Sequence, residues 1–206
     1  MKVILVNGSP REKGCTYTAL CEVAGVLQKN GIETEIFHVG TKPISGCLAC
    51  GKCFRTGKCI IDDCVNVFLE KVPGADGFVF GSPVHYAAVS GQLASFMHRV
   101  FYGKSHMFRG KPGAAVVSCR RGGAATAFDQ INKYFTISGM PVVSSQYWNQ
   151  VHGSTPEQVV QDEEGMQTMR TLGNNMAWLL KCIEAGREKG ILYPEGEKPL
   201  RTDFIR

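Results

Sequence analysis

Short apolar runs alternate with amphipathic helical patterns from the first residues of the chain to about residue 185. Residues 3–6 predict a first strand, and the loop at residues 8–16 leads into a helix that ends near Lys29. Strands joined by helical crossovers form a parallel sheet with helices on both faces. A chain of 206 residues is also long enough to bury a core without a disulfide or a metal as its sole support. We therefore expect an α/β protein.

Eight further elements are predicted along the chain. The strands are expected at residues 32–39, 77–81, 113–118 and 140–145, and the helices at residues 65–72, 92–102, 124–137 and 155–185. Thr155, Pro156 and Glu157 are the residue types expected at the N-cap and first two positions of a helix. Gly165 and Gly173 weaken this last helix, so we expect them to kink or divide it.

Five parallel strands with helices on both faces predict a doubly wound sheet. We expect one domain at residues 1–185, with a cysteine-rich insertion at residues 40–64, and an irregular tail at residues 186–206 that can reach a partner subunit. A connection as long as the insertion is unusual in a compact domain and indicates a function. Ligands of such sheets bind beyond the carboxyl ends of the strands, so the loops after the first, third and fourth strands should converge.

The net charge and the cysteine content limit the kinds of function that the chain can have. The formal net charge is +5 and the basic residues are scattered, which is not the footprint of a nucleic-acid-binding protein. No apolar run approaches the roughly 18 residues of a membrane span, and the first residues lack the apolar core of a signal peptide. We therefore expect a cytoplasmic protein, whose nine cysteines indicate metal or redox chemistry before disulfides.

The first loop, at residues 7–16, has the composition of an anion site at the start of a helix. Backbone N–H groups, the hydroxyls of Ser9 and Thr16 and the guanidinium of Arg11 can surround a phosphate. The loop is not a P-loop, because Cys15 stands where that motif has lysine, and it lacks the glycine fingerprint of dinucleotide-binding proteins. The alternative is an ordinary turn.

Two other loops also follow predicted strands. Residues 81–86 read Gly-Ser-Pro-Val-His-Tyr, in which the proline fixes the backbone and the next three side chains can form a platform for an aromatic ring. Residues 118–123 combine flexible glycines with two arginines, which favours contact with an anion or an electron-rich ring. The alternative for residues 81–86 is simple packing of the aromatic side chains, and the alternative for residues 118–123 is a solvated turn.

Together the three loops resemble those of the NADPH-dependent FMN reductase and iron-sulfur flavoprotein family of the flavodoxin-like superfamily. The resemblance covers about residues 1–150 and depends on Gly8-Ser-Pro-Arg11 with Gly14 and Thr16, Gly81-Ser-Pro-Val84 with Tyr86, and Arg120-Arg-Gly-Gly123. It implies a flavodoxin-like, five-stranded parallel sheet that binds FMN. In two departures from the family pattern, Cys15 stands where Asn is common and His85 where Tyr or another aromatic residue is common.

The resemblance also implies roles for the loop residues. The FMN phosphate would bind Ser9, Arg11 and Thr16, and its ring would lie beside the second loop with the third loop closed over it. The complete implied set of cofactor-binding residues is Ser9, Arg11, Gly14, Cys15, Thr16, Pro83, Val84, His85, Tyr86, Ser118, Arg121, Gly122 and Gly123. We assign no catalytic side chain. The implied electron donor is NAD(P)H. The implied acceptor is a quinone, a nitro compound, free flavin or a metal ion, and the implied assembly is a homodimer or homotetramer.

The insertion contains four closely spaced cysteines, Cys47, Cys50, Cys53 and Cys59. From the residues alone they indicate either a metal site or redox-active thiols. Their spacing reproduces the run that holds a [4Fe-4S] cluster in the iron-sulfur flavoproteins of the family, and thiolates are the usual ligands of such clusters. Zinc and free thiols are the alternatives, and Cys64 is left open as a bystander, an oxidation partner or another ligand.

Two functions follow from these predictions. The first is an FMN oxidoreductase that accepts electrons from NAD(P)H. The second is an electron carrier in which a [4Fe-4S] cluster receives single electrons from ferredoxin and passes them to FMN.

Overall fold

The computed structural model describes residues 1–202 and contains one six-stranded sheet. The strands are β1 (Lys2–Asn7), β2 (Glu33–His38), β3 (Gly77–His85), β4 (Ala88–Val89), β5 (Gly113–Cys119) and β6 (Gln150–His152). Five strands are parallel in the order β2-β1-β3-β5-β6, and β4 pairs with β3 in the antiparallel direction. This is the flavodoxin-like doubly wound arrangement, and the predicted fold class is confirmed.

Helices cover both faces of the sheet. They are α1 (Cys15–Lys29), α2 (Lys52–Thr56), α3 (Cys64–Lys71), α4 (Gly91–Lys104), α5 (Ala124–Ile137), α6 (Pro156–Gln161) and α7 (Glu163–Glu188), with short 3-10 turns at Val72–Gly74 and Ser105–Phe108. Alternate residues of β1 enter two cores: Ile4 packs with side chains of α3, α4 and α5, and Leu5 with side chains of α1 and α7. The two-residue period of the strand thus supplies one core on each face, and the parallel direction of the five strands places their carboxyl ends at one edge of the sheet.

Two predicted strands differ from the observed ones. The prediction that the third strand ends at Gly81 is wrong, because β3 continues to His85 and turns into a hairpin with β4. The prediction of a fifth strand at residues 140–145 is also wrong, since this segment contributes only an isolated bridge between Val142 and Gly113. The last parallel strand is β6, whose pairing with β5 begins at Gln150.

The last predicted helix is divided, although not at either of its glycines. α6 ends at Gln161, and α7 begins after Asp162, whose carboxylate accepts a hydrogen bond from the N–H of Gly165 at 3.0 Å. A carboxylate at this position satisfies an otherwise unpaired N–H of the first helical turn. Gly165 therefore lies at the start of a helix, where its lack of a side chain leaves room for Asp162.

The C-terminal segment is irregular after α7 and folds back on its own chain. The Tyr193 hydroxyl donates to the backbone oxygen of Gly139 at 3.0 Å, and Arg109 stacks over the Tyr193 ring. Contact of this tail with a partner subunit stays a prediction, and its last four residues, 203–206, lie outside the described residues. Among residues 1–202, no helix has both the length and the hydrophobicity needed to cross a bilayer.

Candidate functional site

The three predicted loops meet in one cavity of about 290 Å³ at the carboxyl edge of the sheet. This volume is close to the lower end of the range of small-molecule pockets, roughly 300 Å³. The cavity is lined by Ser9, Pro10, Arg11, Cys15, Thr16, Pro83, Val84, His85, Ser118, Cys119, Arg120, Gly153 and Ser154. Two arginines and no carboxylate occur among these residues, so the lining favours an anion.

The first loop crosses directly over β3. The N–H of Gly8 donates to the backbone oxygen of Gly81 at 2.8 Å, and a Cβ added at Gly8 would lie 2.7 Å from the Cβ of Leu93. Real side-chain carbons do not approach so closely, so this position requires glycine. The close crossing brings the backbone after Gly8 to the mouth of the cavity.

Internal hydrogen bonds fix the course of the first loop. The N–H of Ser9 donates to the side-chain oxygen of Asn7 at 3.1 Å, and the N–H of Arg11 donates to the Ser9 hydroxyl at 3.1 Å. The Nε2 atom of His38, at the end of β2, lies 2.8 Å from the backbone oxygen of Ser9. The sequence prediction did not include His38, although its place at the end of a parallel strand is a usable signal.

The first turn of α1 faces the cavity without a side-chain cap. Gly14 is the N-cap residue and makes no side-chain hydrogen bond to the helix, which leaves the first N–H groups to other acceptors. The helix dipole and these N–H groups together attract negative charge. With Arg11 beside them, they fit the phosphate of FMN.

The hydroxyls of Thr16 and Ser118 join the first loop to the third. Both residues are almost wholly buried, and their oxygens lie 2.8 Å apart. Thr16 is in the first turn of α1 and Ser118 is near the end of β5, so one hydrogen bond joins two sides of the cavity. A hydroxyl also has further capacity to donate or accept, which suits contact with a bound phosphate or ribityl chain.

The hairpin from β3 to β4 forms another wall. Tyr86 and Ala87 both have positive φ angles, 49° and 58°, as a two-residue hairpin turn requires. Gly123, at the start of α5, has a φ of 89°, and a Cβ added there would lie 2.8 Å from the Cα of Ala87. The second and third loops therefore touch at Gly123, and Pro83 and Val84 present an apolar surface to the cavity.

Not every predicted cofactor residue lines the cavity. Ser9, Arg11, Cys15, Thr16, Pro83, Val84, His85 and Ser118 do, whereas Gly14, Tyr86, Arg121, Gly122 and Gly123 do not. The sequence prediction missed Pro10, Cys119, Arg120, Gly153 and Ser154. Gly153 and Ser154 directly follow β6. The sequence pattern predicts the fifth strand at residues 140–145, so it does not identify residues 153 and 154 as a loop at the carboxyl end of a strand. Tyr86 is fully exposed at the tip of the hairpin.

Two cysteines at the cavity have neutral thiols. Burial raises the pKa of both Cys15 and Cys119 above the ordinary thiol value. The Cys15 thiol makes a weak contact with the backbone oxygen of Gly153 at 3.7 Å. Because the thiolate is the reactive form, these side chains fit a packing role.

The four cysteines of the insertion line a second, small cavity between the insertion and α4. The chain reverses at Gly51 and Gly57, which flank α2 with φ angles of 67° and 76°. These turns bring Cys47, Cys50, Cys53 and Cys59 to the same cavity, with Arg99 and Lys104 and no carboxylate in its lining. All nine cysteines of the chain are free thiols. The cationic lining suits a group held by four thiolates.

The fit of a metal group depends on the two exposed cysteines. The cavity measures about 20 Å³, little more than the room needed by one water molecule. Within residues 1–202, no three histidine, cysteine or acidic side chains converge on a single metal ion. Cys47 and Cys50 are exposed, so they can turn outward without disturbing the core. The four thiols and the cationic lining fit an iron-sulfur cluster, and an outward turn of Cys47 and Cys50 would supply the additional space that a cluster needs.

Comparison with known proteins identifies the family of the chain. The family model described as NADPH-dependent FMN reductase matches residues 1–154. An iron-sulfur flavoprotein of Methanocaldococcus jannaschii is 36% identical, with 89% of this chain and all of that protein covered. An iron-sulfur flavoprotein of Archaeoglobus fulgidus is 31% identical, with 88% and 98% covered. The structure of RosB with bound 8-demethyl-8-formylriboflavin-5'-phosphate has a TM-score of 0.70 at 15% identity, covering all of this chain and 92% of that one. The chain belongs to the NADPH-dependent FMN reductase family, and the proteins to which it is similar include iron-sulfur flavoproteins.

Proposed function

We propose that the protein is an FMN-dependent oxidoreductase that exchanges single electrons with its partners through a [4Fe-4S] cluster held by Cys47, Cys50, Cys53 and Cys59. The observation that carries this proposal is the common cavity lined by all four thiols beside Arg99. The names of the matched relatives support it further. The electron carrier, which the sequence placed second, is therefore the better supported candidate.

The residues of the larger cavity would hold FMN. Ser9, Arg11 and the uncapped first turn of α1 would bind its phosphate, and Pro83 and Val84 would contact its ring. When bound, FMN supplies the interconversion of one-electron and two-electron transfer. His85 is the imidazole among the side chains that line the cavity, and we leave the catalytic role unassigned.

Helix α4 sets the distance between the two sites. Ser90 precedes its first residue and donates to the backbone oxygen of Gly8 at 2.6 Å, beside the first loop. Arg99 and Gly103 contribute to the cysteine cavity further along the same helix. At 1.5 Å per residue, the two regions are separated by roughly 14–20 Å along the helix axis. A rigid helix thus connects the proposed phosphate region with the proposed cluster.

A reductase that takes electrons from NAD(P)H is the second candidate. Its support is the matching family model, whose description includes NADPH dependence. Arg120 lines the cavity at its exposed rim, where a cation suits the phosphates of a nicotinamide cofactor. The acceptor in this case would be a quinone, nitro compound, free flavin or metal ion.

Electron donors distinguish the two candidates. The purified, reconstituted protein is mixed anaerobically with reduced ferredoxin or with NADPH, and flavin bleaching is followed by stopped flow. We expect fast bleaching by ferredoxin, and we expect the Cys53→Ser variant to lose this reaction while it keeps FMN. Fast bleaching by NADPH that is equal in the wild type and in Cys53→Ser, without reaction with ferredoxin, would contradict the carrier.

We also propose a homo-oligomer in a reducing cytoplasm. The free state of all nine cysteines supports the compartment, because metal-binding thiols require reduction. Large apolar side chains at the surface favour association. Three of them, Trp148, Tyr147 and Ile137, are exposed and support the homo-oligomer. Light scattering of the purified protein tests the assembly, and a monomer at micromolar concentration would contradict it.

A further inference from the structure

A buried arginine lies directly behind the cysteine cavity. The side chain of Arg99, on α4, is completely shielded from solvent. Its Nε and Nη2 atoms donate to the sulfur of Cys59 at 3.4 and 3.3 Å. One of the four cysteine sulfurs therefore faces a guanidinium group through two hydrogen bonds.

The remaining contacts of Arg99 hold it in place and keep it charged. Its terminal nitrogens pair with both carboxylate oxygens of Asp63, and Nη2 also donates to the backbone oxygen of Ile61 at 2.8 Å. A guanidinium group does not lose its proton in proteins, and its bidentate contact with Asp63 fixes its position. The guanidinium is thus a fixed positive charge beside the sulfur.

We propose that Arg99 is a positioning residue that raises the reduction potential of the cluster, a role that rests on the proposed function. Reduction adds negative charge to an iron-sulfur cluster, and hydrogen bonds to its sulfurs and nearby positive charge stabilise the reduced form. The guanidinium supplies both effects at Cys59. Asp63 offsets part of the charge, because it is the direct partner of Arg99.

A purely structural role for Arg99 in holding the loop needs its own control, and Asn66 provides one. The side-chain oxygen of Asn66 accepts from the N–H of Cys59 at 2.9 Å, and its amide donates to the Cys59 backbone oxygen at 3.0 Å. Asn66 therefore anchors the backbone of Cys59 without a hydrogen bond to its sulfur. Loss of this anchor should affect cluster content without changing the charge beside the sulfur.

The experiment is a redox titration of the reconstituted full-length protein, followed by electron paramagnetic resonance, with iron and sulfide measured in parallel. In Arg99→Gln we expect the equilibrium constant for reduction to fall about tenfold, which is about 59 mV for one electron. Arg99→Lys should show a smaller decrease. Asp63→Asn, which keeps Arg99 and a residue suited to the N-cap of α3, should show an increase. Asn66→Ala should hold less iron at an unchanged potential.

An unchanged potential in Arg99→Gln would overturn the role of Arg99, as would an equal decrease in Asn66→Ala. If Arg99→Gln holds no cluster, the potentials of Arg99→Lys and Asp63→Asn test the role of Arg99 instead. Unchanged potentials in both variants would also overturn that role. A wild-type protein that takes up no iron or sulfide would refute the proposed cluster, and the role of Arg99 with it. A change in potential is thus separable from the failure of the proposed function.

Discussion

The hydroxyls of Thr16 and Ser118 lie 2.8 Å apart and join the first turn of α1 to the end of β5 inside the proposed FMN site. Thr16→Val should cost about 1–3 kcal/mol of the free energy of unfolding, because it leaves a buried hydroxyl without its partner. Chemical denaturation measures this loss. Thr16→Ser, which keeps the hydroxyl, should be much closer to the wild type.

A double-mutant cycle isolates this pair. Ser118→Ala in the Thr16→Val background should cost less than it does in the wild type, since the hydrogen bond is already lost. Strict additivity of the two changes would show that the two hydroxyls do not interact. FMN affinity measured on the same variants should fall together with stability.

Arg11→Ala should weaken FMN binding by roughly tenfold or more, because a charge-assisted hydrogen bond contributes about 1.5–3 kcal/mol. Arg11 lines the cavity, whereas the nearby cation Lys13 does not. Lys13→Ala is therefore the matched control and should have little effect. Quenching of flavin fluorescence on titration of the apoprotein measures both affinities, and equal losses would indicate a general charge effect without a specific phosphate contact.

Gly123→Ala should destabilise the protein by about 1–3 kcal/mol, because the new Cβ meets Ala87 in a backbone conformation that alanine rarely adopts. The adjacent Gly122 has open space around it and no positive φ. Gly122→Ala should therefore stay within about 0.5 kcal/mol of the wild type. Thermal unfolding compares the two, and the predicted contact of the hairpin with α5 is wrong if both variants behave alike.

Cys59→Ser should abolish cluster assembly or reduce it strongly, because the ligand that faces Arg99 is lost. Cys64 does not line the cavity of the other four cysteines. Cys64→Ser should consequently keep the iron and sulfide content of the wild type, which a colorimetric assay after anaerobic reconstitution determines. Loss of iron in Cys64→Ser with retention in Cys59→Ser would exchange their assigned roles.

Stability at acid pH should depend on Glu35. Hydrogen bonds from Lys71 and Lys2 lower the pKa of Glu35 below its ordinary value of 4.5, so the folded protein holds this proton less tightly than the unfolded chain. Its stabilising effect is therefore complete above about pH 4.5 and is lost as the pH falls through the lower, folded-state pKa.

Replacement of Glu35 should flatten that acid dependence. Glu35→Gln should cost about 1 kcal/mol at pH 7 and less at pH 3, as expected for a partly exposed ion pair. Glu33, which is more exposed and pairs with Lys2, is the matched control. Urea unfolding at several pH values tests both, and an equal cost of Glu35→Gln at pH 3 and pH 7 would contradict the pairing.

The sequence predicted the fold well where hydrophobic periodicity was strong. Residues 124–137 form α5 as predicted, and β5 extends the predicted strand by Cys119 alone. The prediction failed at β6, where only one of three residues is buried, and hydrogen bonds to β5 rather than hydrophobicity define the strand. The prediction also ended β3 too early: Pro83 lacks a backbone N–H and was placed in a loop, yet it pairs with Ser118 within the sheet.

The sites were predictable to different degrees. The anion loop and the cysteine spacing are local patterns, and they could be read directly from the sequence. Gly153 reaches the cavity, and His38 the backbone of Ser9 beside it, only through the arrangement of the strands. Arg99 meets Cys59 across 40 residues of chain. Such contacts depend on tertiary packing, so residue spacing does not indicate them.

The most direct test of the proposed function is the flavin, iron and sulfide content of the protein purified without oxygen, together with its absorption spectrum. We predict one FMN per chain, with about four iron atoms and four sulfides, as a [4Fe-4S] cluster requires. Flavin without iron would remove the cluster and leave the reductase. A protein that binds neither flavin nor iron, even after reconstitution with both, would contradict the proposed function as a whole.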